Sequence, residues 1–110
     1  MIRINILYPN LPNSRFDMAY YLEKHMPASI ERLSPAAGFR GVSVERGLNA
    51  GPPDTAPPYV AMCHYLFDSA ADFMAAFGPH ADYLQSDIVK YTDIQPIIQF
   101  SEVALSRGGV

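Results

Sequence analysis

A single cysteine, Cys63, stands in a chain of 110 residues that has no tryptophan. One thiol cannot close an internal disulfide, so a packed core must hold the fold, and a cytoplasmic protein is the simplest expectation. Charge is sparse: Asp, Glu, Lys and Arg make up 17% of the residues, with a net charge of −3. A protein that tracks nucleic-acid phosphates carries a basic stripe, so no nucleic-acid partner is expected. No apolar run approaches the roughly 20 residues that span a bilayer. The opening Met1-Ile2-Arg3-Ile4-Asn5 alternates, unlike the charged and then apolar regions of a signal peptide, and no membrane partner is expected. Cys-x-x-Cys and His-Glu-x-x-His are both absent and the 3 histidines lie far apart, which argues against a metal site. There is no Gly-x-Gly-x-x-Gly or Walker-type loop and no Gly-x-Ser-x-Gly elbow, so no cofactor is implied.

What is present is apolar: 49% of the residues. That excludes disorder, and the length suits one domain over 1–110. Ile2, Ile4, Ile6 and Tyr8 alternate with Arg3, Asn5 and Leu7, the period of a half-buried strand. Pro9, Asn10, Pro12 and Asn13 end it. A helix is expected from near Ser14, with Met18, Tyr21, Leu22 and His25 on one stripe. Pro27 lacks the N–H that would bond back to Glu23, so a kink or restart is expected there. Segment 39–47 reads as a second strand, with Phe39, Gly41, Ser43 and Glu45 on one side. The Pro-rich stretch 49–58 reads as a hairpin connection. Strand 59–67 is apolar on both faces, with His64 opposite Tyr65. Ser69 with Asp72 opens a helix whose expected buried stripe is Ala70, Phe73, Met74 and Phe77. Gly78-Pro79 breaks it. A further helix should run from about Pro79 to Tyr91, and a last strand over about 95–105. The order β-α-β-β-α-β is that of a ferredoxin-like α+β sandwich, with an antiparallel sheet and both helices on one face. The other sheet face would then need a second copy of the chain to cover it, which predicts a homodimer.

Histidine is the side chain whose ordinary pKa suits proton transfer near neutrality. His25 falls on the apolar stripe beside the Pro27 kink, where a cavity can open; its alternative is a buried imidazole bonded to backbone. His80 opens the last helix, where the dipole disfavours imidazolium and suits a base; its alternative is a surface turn. His64 lies in strand three and either lines the interior or is structural. Asp87, seven residues after His80, points the same way but about 10 Å further along, so it either orients another group or bonds a loop. Tyr20, Tyr21, Tyr65, Tyr83 and Tyr91 place hydroxyls beside apolar surface, which suits an aromatic or polycyclic ligand as well as a core. Cys63 reads as inert packing.

Tyr8-Pro9, Phe16, Tyr20, His25 and Pro27 at the start, and Asp87, Tyr91-Thr92-Asp93, Pro96 and Gln99 through Val103 at the end, resemble in joint order the motifs of the EthD family. The resemblance covers nearly the whole chain, stretch 49–58 being least constrained. It implies the dimeric α+β barrel superfamily, in which two ferredoxin-like chains pack their sheets together and each protomer has a cavity between sheet and helices. The founding member is associated with degradation of ethyl tert-butyl ether beside a cytochrome P450 system. Other barrel families include cofactor-free monooxygenases, polyketide cyclases, muconolactone isomerases and haem proteins; nothing in this sequence supports a haem ligand. In polyketide-cyclase-like relatives a histidine opening the second helical region acts as base, and His80 resembles that position. The leading expectation is thus a cofactor-independent enzyme in which His25 and His80 are catalytic and shuttle protons, with tyrosine hydroxyls or Asp87 orienting them. Tyr21, His64, Tyr65, Tyr83 and Asp87 would then surround a hydrophobic oxygenated ligand. The reactions expected are proton abstraction beside a carbonyl, followed by cyclisation, dehydration or decarboxylation, or oxygenation of a phenol. The alternatives are a non-catalytic accessory that binds an apolar metabolite beside a P450-type system, and a purely structural dimer.

Overall fold

The computed structural model describes residues 1–108. Four strands form one antiparallel sheet: β1 (Ile2–Pro9), β2 (Phe39–Arg46), β3 (Tyr59–Phe67) and β4 (Ile97–Glu102), in the spatial order β2-β3-β1-β4. With one helical unit between β1 and β2 and another between β3 and β4, this is the ferredoxin-like α+β fold. The period-2 pattern of β1 is met as expected: Ile4 and Tyr8 are buried, and Ile4 lies opposite Tyr65 on β3 and Phe100 on β4. Ala61, Cys63, Tyr65 and Phe67 of β3 are all buried on the same face. Against them pack Tyr21, Met26 and Leu33 from the first helical unit and Phe73 and Ala76 from the second.

The strand pattern fails in β2. Simple alternation separates Phe39 from Val42 and Val44, yet all three pack against the core. A β-bulge between Phe39 and Gly41 adds one residue, so Phe39 pairs with Phe67 while Gly41 pairs with Leu66. The extra residue, Arg40, turns outward and forms a two-bond ion pair with Asp68 at 2.7 and 3.1 Å. Just before the bulge, Gly38 has φ +88°, and a Cβ there would meet the Asp72 side chain at 2.5 Å, so only glycine fits this turn.

The first helical unit starts later than expected. Ser14 donates its hydroxyl to Leu11 O instead of capping, and Phe16 forms an isolated bridge with Thr92. Asp17 caps instead, accepting from the Tyr20 N–H at 3.0 Å, and α1 (Met18–Tyr20) follows. The chain then widens into a π-helical stretch, Tyr21–His25, closed by the Met26 N–H bonding to Tyr21 O, before α2 (Met26–Leu33). The interruption foreseen at Pro27 thus takes the form of one wide turn. It leaves Tyr21 and His25 buried, while Leu22, expected on the same stripe, is turned outward and exposed.

The second unit comprises α3 (Ala70–Phe77), a 3₁₀ turn (Gly78–His80), α4 (Ala81–Asp87) and a second 3₁₀ turn (Ile88–Lys90). Ser69 caps α3 by accepting from the Asp72 N–H. Ala70 and Met74, both expected in the buried stripe, are exposed, Met74 at 53%. Phe73 and Phe77, four residues apart, stack at 5.5 Å and define the inward face, which turns Met74 outward. β4 is shorter than expected, beginning after Pro96. No helix among the described residues is long and apolar enough to cross a membrane.

Candidate functional site

The two helical units are laced together at one end of the sheet. The Asp17 N–H bonds to Tyr91 O at 2.7 Å, and Arg15 N donates to Asp93 Oδ1 at 2.8 Å. Thr92 Oγ1 donates to Arg15 O at 2.6 Å and accepts from Ile94 N at 3.0 Å. These bonds fix the start of α1 against the end of α4, and so bring His25 and Asp87, 62 positions apart, into one site.

His25 Nδ1 lies 2.9 Å from Asp87 Oδ2, and both residues are buried. Tyr20 donates its hydroxyl to Asp87 Oδ1 at 2.8 Å, and Lys90 Nζ lies 3.6 Å from the same oxygen. Asp87 ends α4, where the helix dipole disfavours a carboxylate, so these partners hold the charge in place. Burial pushes the Asp87 pKa up, but the hydrogen bonds from His25 and Tyr20 outweigh it and hold the carboxyl below its ordinary range. Burial also lowers the His25 pKa, against the opposing pull of Asp87. At neutral pH the pair is therefore carboxylate and neutral imidazole. An ionised carboxylate only accepts, so the imidazole proton is assigned to Nδ1. Nε2 then keeps its lone pair and has no partner among the described residues. Tyr21 stacks on the imidazole at 5.9 Å and Tyr91 lies 4.7 Å from it, fixing the ring plane.

His25 lines a cavity of about 560 Å³ between sheet and helices, within the range of small-molecule sites. Leu33, Phe73, Phe77, Ile88 and Ile98 give much of its wall. Ser29, Tyr65 and Tyr8 add hydroxyls. Ser29 Oγ is 2.5 Å from Tyr65 OH, and Tyr8 OH is 2.6 Å from Tyr91 OH. Burial raises the Tyr8 pKa to about 12 and raises that of Tyr65 too, so these phenols stay protonated donors at neutral pH.

Of the residues singled out from sequence, His25, Tyr20, Tyr65 and Asp87 meet at this site, with the Tyr21 and Tyr91 rings packed against His25. The structure does not bring His80, His64 or Tyr83 to the cavity. His80 closes the 3₁₀ turn after α3, half-buried outside the cavity lining, because Gly78-Pro79 rotates the chain before α4 begins. His64 points to the opposite sheet face, where Nδ1 meets Asn5 Oδ1 at 2.6 Å and Nε2 meets Glu45 Oε1 at 2.8 Å. Tyr83 is 48% exposed beneath the Arg32 guanidinium, 4.0 Å from its ring centre. Ser29 and Tyr8 had not been singled out from sequence as site residues. Ser29 carries a usable signal, since it lies four residues after His25 on the same helical face. Among the described residues no group of three or more His, Cys, Asp or Glu is arranged to hold a metal ion.

The His25–Asp87 pair couples stability to pH. A group whose pKa is lower in the folded state takes up its proton first in the unfolded chain, so acid destabilises. For His25, stability is complete above the ordinary value of 6.5 and falls as pH drops through 6.5 toward the lower folded value. For Asp87 a second loss comes below 3.8. Urea midpoints measured from about pH 8 to about pH 5 should fall on the acid side in the wild type, and His25→Gln should flatten that slope. An unchanged slope would remove His25 as its source.

No protein-family model matches the sequence, and no curated protein matches it. Solved structures do. An EthD-like protein from Ralstonia eutropha JMP134 is 42% identical, with a TM-score of 0.86 over 96% of this chain and 94% of that one. An ethyl tert-butyl ether degradation family protein from Bacillus halodurans C-125 is 19% identical, with a TM-score of 0.69 over 93% of this chain and 97% of that one. A candidate monooxygenase from Shewanella loihica PV-4 is 12% identical, with a TM-score of 0.64 over 96% and 95% of the two chains. The last two show the shared fold. The first, at 42% identity across nearly the whole length of both proteins, shows that this chain belongs to the EthD family.

Proposed function

We propose that this chain is a small-molecule enzyme in which His25 is the general base and acid, Asp87 orients it, and the substrate is a hydrophobic oxygenated compound bound between sheet and helices. The observation that carries this is the buried His25–Asp87 hydrogen bond at 2.9 Å, which leaves an unpartnered Nε2 on a residue that lines the cavity. A base needs its lone pair within reach of substrate and a fixed tautomer, and the dyad supplies both. Proton transfer of this kind is carried by the chain's own side chains. It serves enolisation as the first step of cyclisation, dehydration or decarboxylation, and ionisation of a phenol before oxygenation. Within this reading His80, His64 and Tyr83 act away from the reacting atoms. A homodimer is part of the same proposal, supported by Leu7, Met62 and Leu66 on the sheet face opposite Ala61, Cys63 and Tyr65.

The test is exchange of the α-hydrogens of β-tetralone, an apolar bicyclic ketone, in D₂O followed by NMR. The wild type should accelerate exchange, and the rate should rise with pH through a single group below 6.5 and then level, as neutral His25 accumulates. Binding of β-tetralone with exchange no faster than buffer would favour a non-catalytic carrier of apolar metabolites instead.

A further inference from the structure

Ser29 and Tyr65 face each other inside the cavity one helical turn beyond His25. Both are buried, at 5% and 1% exposure, and their oxygens are 2.5 Å apart. Two hydroxyls carry two hydrogens, and the bond between them uses one. The second hydrogen has no acceptor among the described residues, since neither side chain makes another hydrogen bond. A buried donor without an acceptor is costly, and it is satisfied when a ligand brings an oxygen. His25 and Ser29 sit at i and i+4, with about 5–6 Å between such side chains at their roots. His25, Ser29 and Tyr65 all line the same cavity, so a ligand held there can meet an imidazole lone pair and a spare hydroxyl hydrogen together. Among the described residues no lysine or arginine lines the cavity, so its lining offers no lysine or arginine charge to a carboxylate or phosphate.

We propose that Ser29 and Tyr65 form a single hydrogen-bond donor site for a ligand carbonyl oxygen, and that the cavity takes an uncharged, apolar ketone-like compound whose α-hydrogen faces His25. This rests on the reading of His25 as the base. In the step, His25 Nε2 takes the α-proton. The C–H electron pair becomes the C=C bond, and the carbonyl π pair moves to oxygen. The resulting oxyanion accepts the spare hydrogen of the Ser29–Tyr65 pair. Asp87 holds the imidazolium until the proton returns to carbon or exchanges with solvent. Either hydroxyl can act as the terminal donor while the other polarises it, so the pair works as one unit.

Three measurements on β-tetralone test this with the full chain: affinity by NMR titration, α-hydrogen exchange, and the infrared carbonyl stretch of the bound ketone. The wild type should bind it with the stretch lowered relative to the ketone in hydrocarbon solvent. Ser29→Ala/Tyr65→Phe together should weaken affinity about 5–10-fold and slow exchange about 100-fold. Each single variant keeps one hydroxyl and should slow exchange by less than about tenfold, a non-additive pattern. His25→Gln should lose exchange and keep affinity within about twofold. A double variant that binds and exchanges like wild type overturns the donor site and leaves His25 as base. Weakened binding in the double variant with no exchange in any protein keeps the donor site and overturns the base. A wild type that fails to bind β-tetralone, or binds it with an unshifted carbonyl stretch, overturns the proposal without any variant having to fold.

Discussion

Asp87→Asn should lower the β-tetralone exchange rate on the order of 10³-fold, with little change in the concentration that half-saturates the enzyme. The volume of the side chain is conserved, so the cause is the proton. Asp87 Oδ2 accepts from Nδ1 of His25 at 2.9 Å, which leaves Nε2 as the base. An asparagine amide at the same place can present its NH₂ to Nδ1. The imidazole then does best with its hydrogen on Nε2, where no lone pair remains to take a substrate proton. Tyr20, which donates to Oδ1 at 2.8 Å, keeps an acceptor in the variant and so fixes the amide in the harmful orientation, oxygen toward Tyr20 and nitrogen toward His25. Nitrogen-15 NMR of the histidine ring should show the proton moving from Nδ1 to Nε2. His25→Gln should be at least as damaging. Asp87→Asn with wild-type rate and tautomer would mean that Asp87 only supports the fold.

Phe67→Ala should destabilise the protein by about 3–5 kcal/mol, the usual cost of emptying a buried aromatic position. Phe67 has no exposed surface and sits edge-on to Phe39 at 5.6 Å and to Phe73 at 5.4 Å. It therefore joins β2, β3 and α3. A domain of this size commonly has about 5–15 kcal/mol in all, so the variant would stand near unfolding. Its melting temperature should drop by roughly 15–30 °C. Met74→Ala is the matched control on the same unit. Met74 is 53% exposed, and its loss should stay within about 0.5 kcal/mol. Similar losses for the two variants would contradict the packing order described for α3.

The two expectations differ in what could be read from residues in a row. The grouping of Phe67 with Ala61, Cys63 and Tyr65 follows from the alternation of β3 itself, while the helices packed on that face, and not on that of Met62 and Leu66, decide its burial. Met74 misled, because an eight-residue helix rich in alanine and phenylalanine has apolar side chains over more than one stripe, and its orientation is decided by the stacking of Phe73 on Phe77. Phe39 misled for a different reason. Alternation assumes an unbroken ladder, and the bulge at Arg40 changes phase within β2.

The site divides the same way. His25 could be singled out by its chemistry and by the broken helix beside it. Asp87 could be seen as a carboxylate able to orient the histidines, but not that it meets His25 rather than His80, because that pairing spans 62 positions and depends on the bonds that lash Arg15–Asp17 to Tyr91–Asp93. His80 suits a base by chemistry and by resemblance, yet the turn at Gly78-Pro79 leaves it outside the cavity lining. His64 alternates with Tyr65 as the strand period requires, which carries it to the other face, onto Asn5 and Glu45.

The sequence by itself determined the order of strands and helices, the antiparallel α+β class, the main burial face of β1, and the family, because these depend on local periodicity, on turn residues and on motif order along the chain. Tertiary structure alone decided which carboxylate meets which histidine, which hydroxyls pair, and where the cavity opens. Those are contacts between distant segments, governed by a bulge, a wide helical turn and a few loop hydrogen bonds whose positions no local pattern specifies.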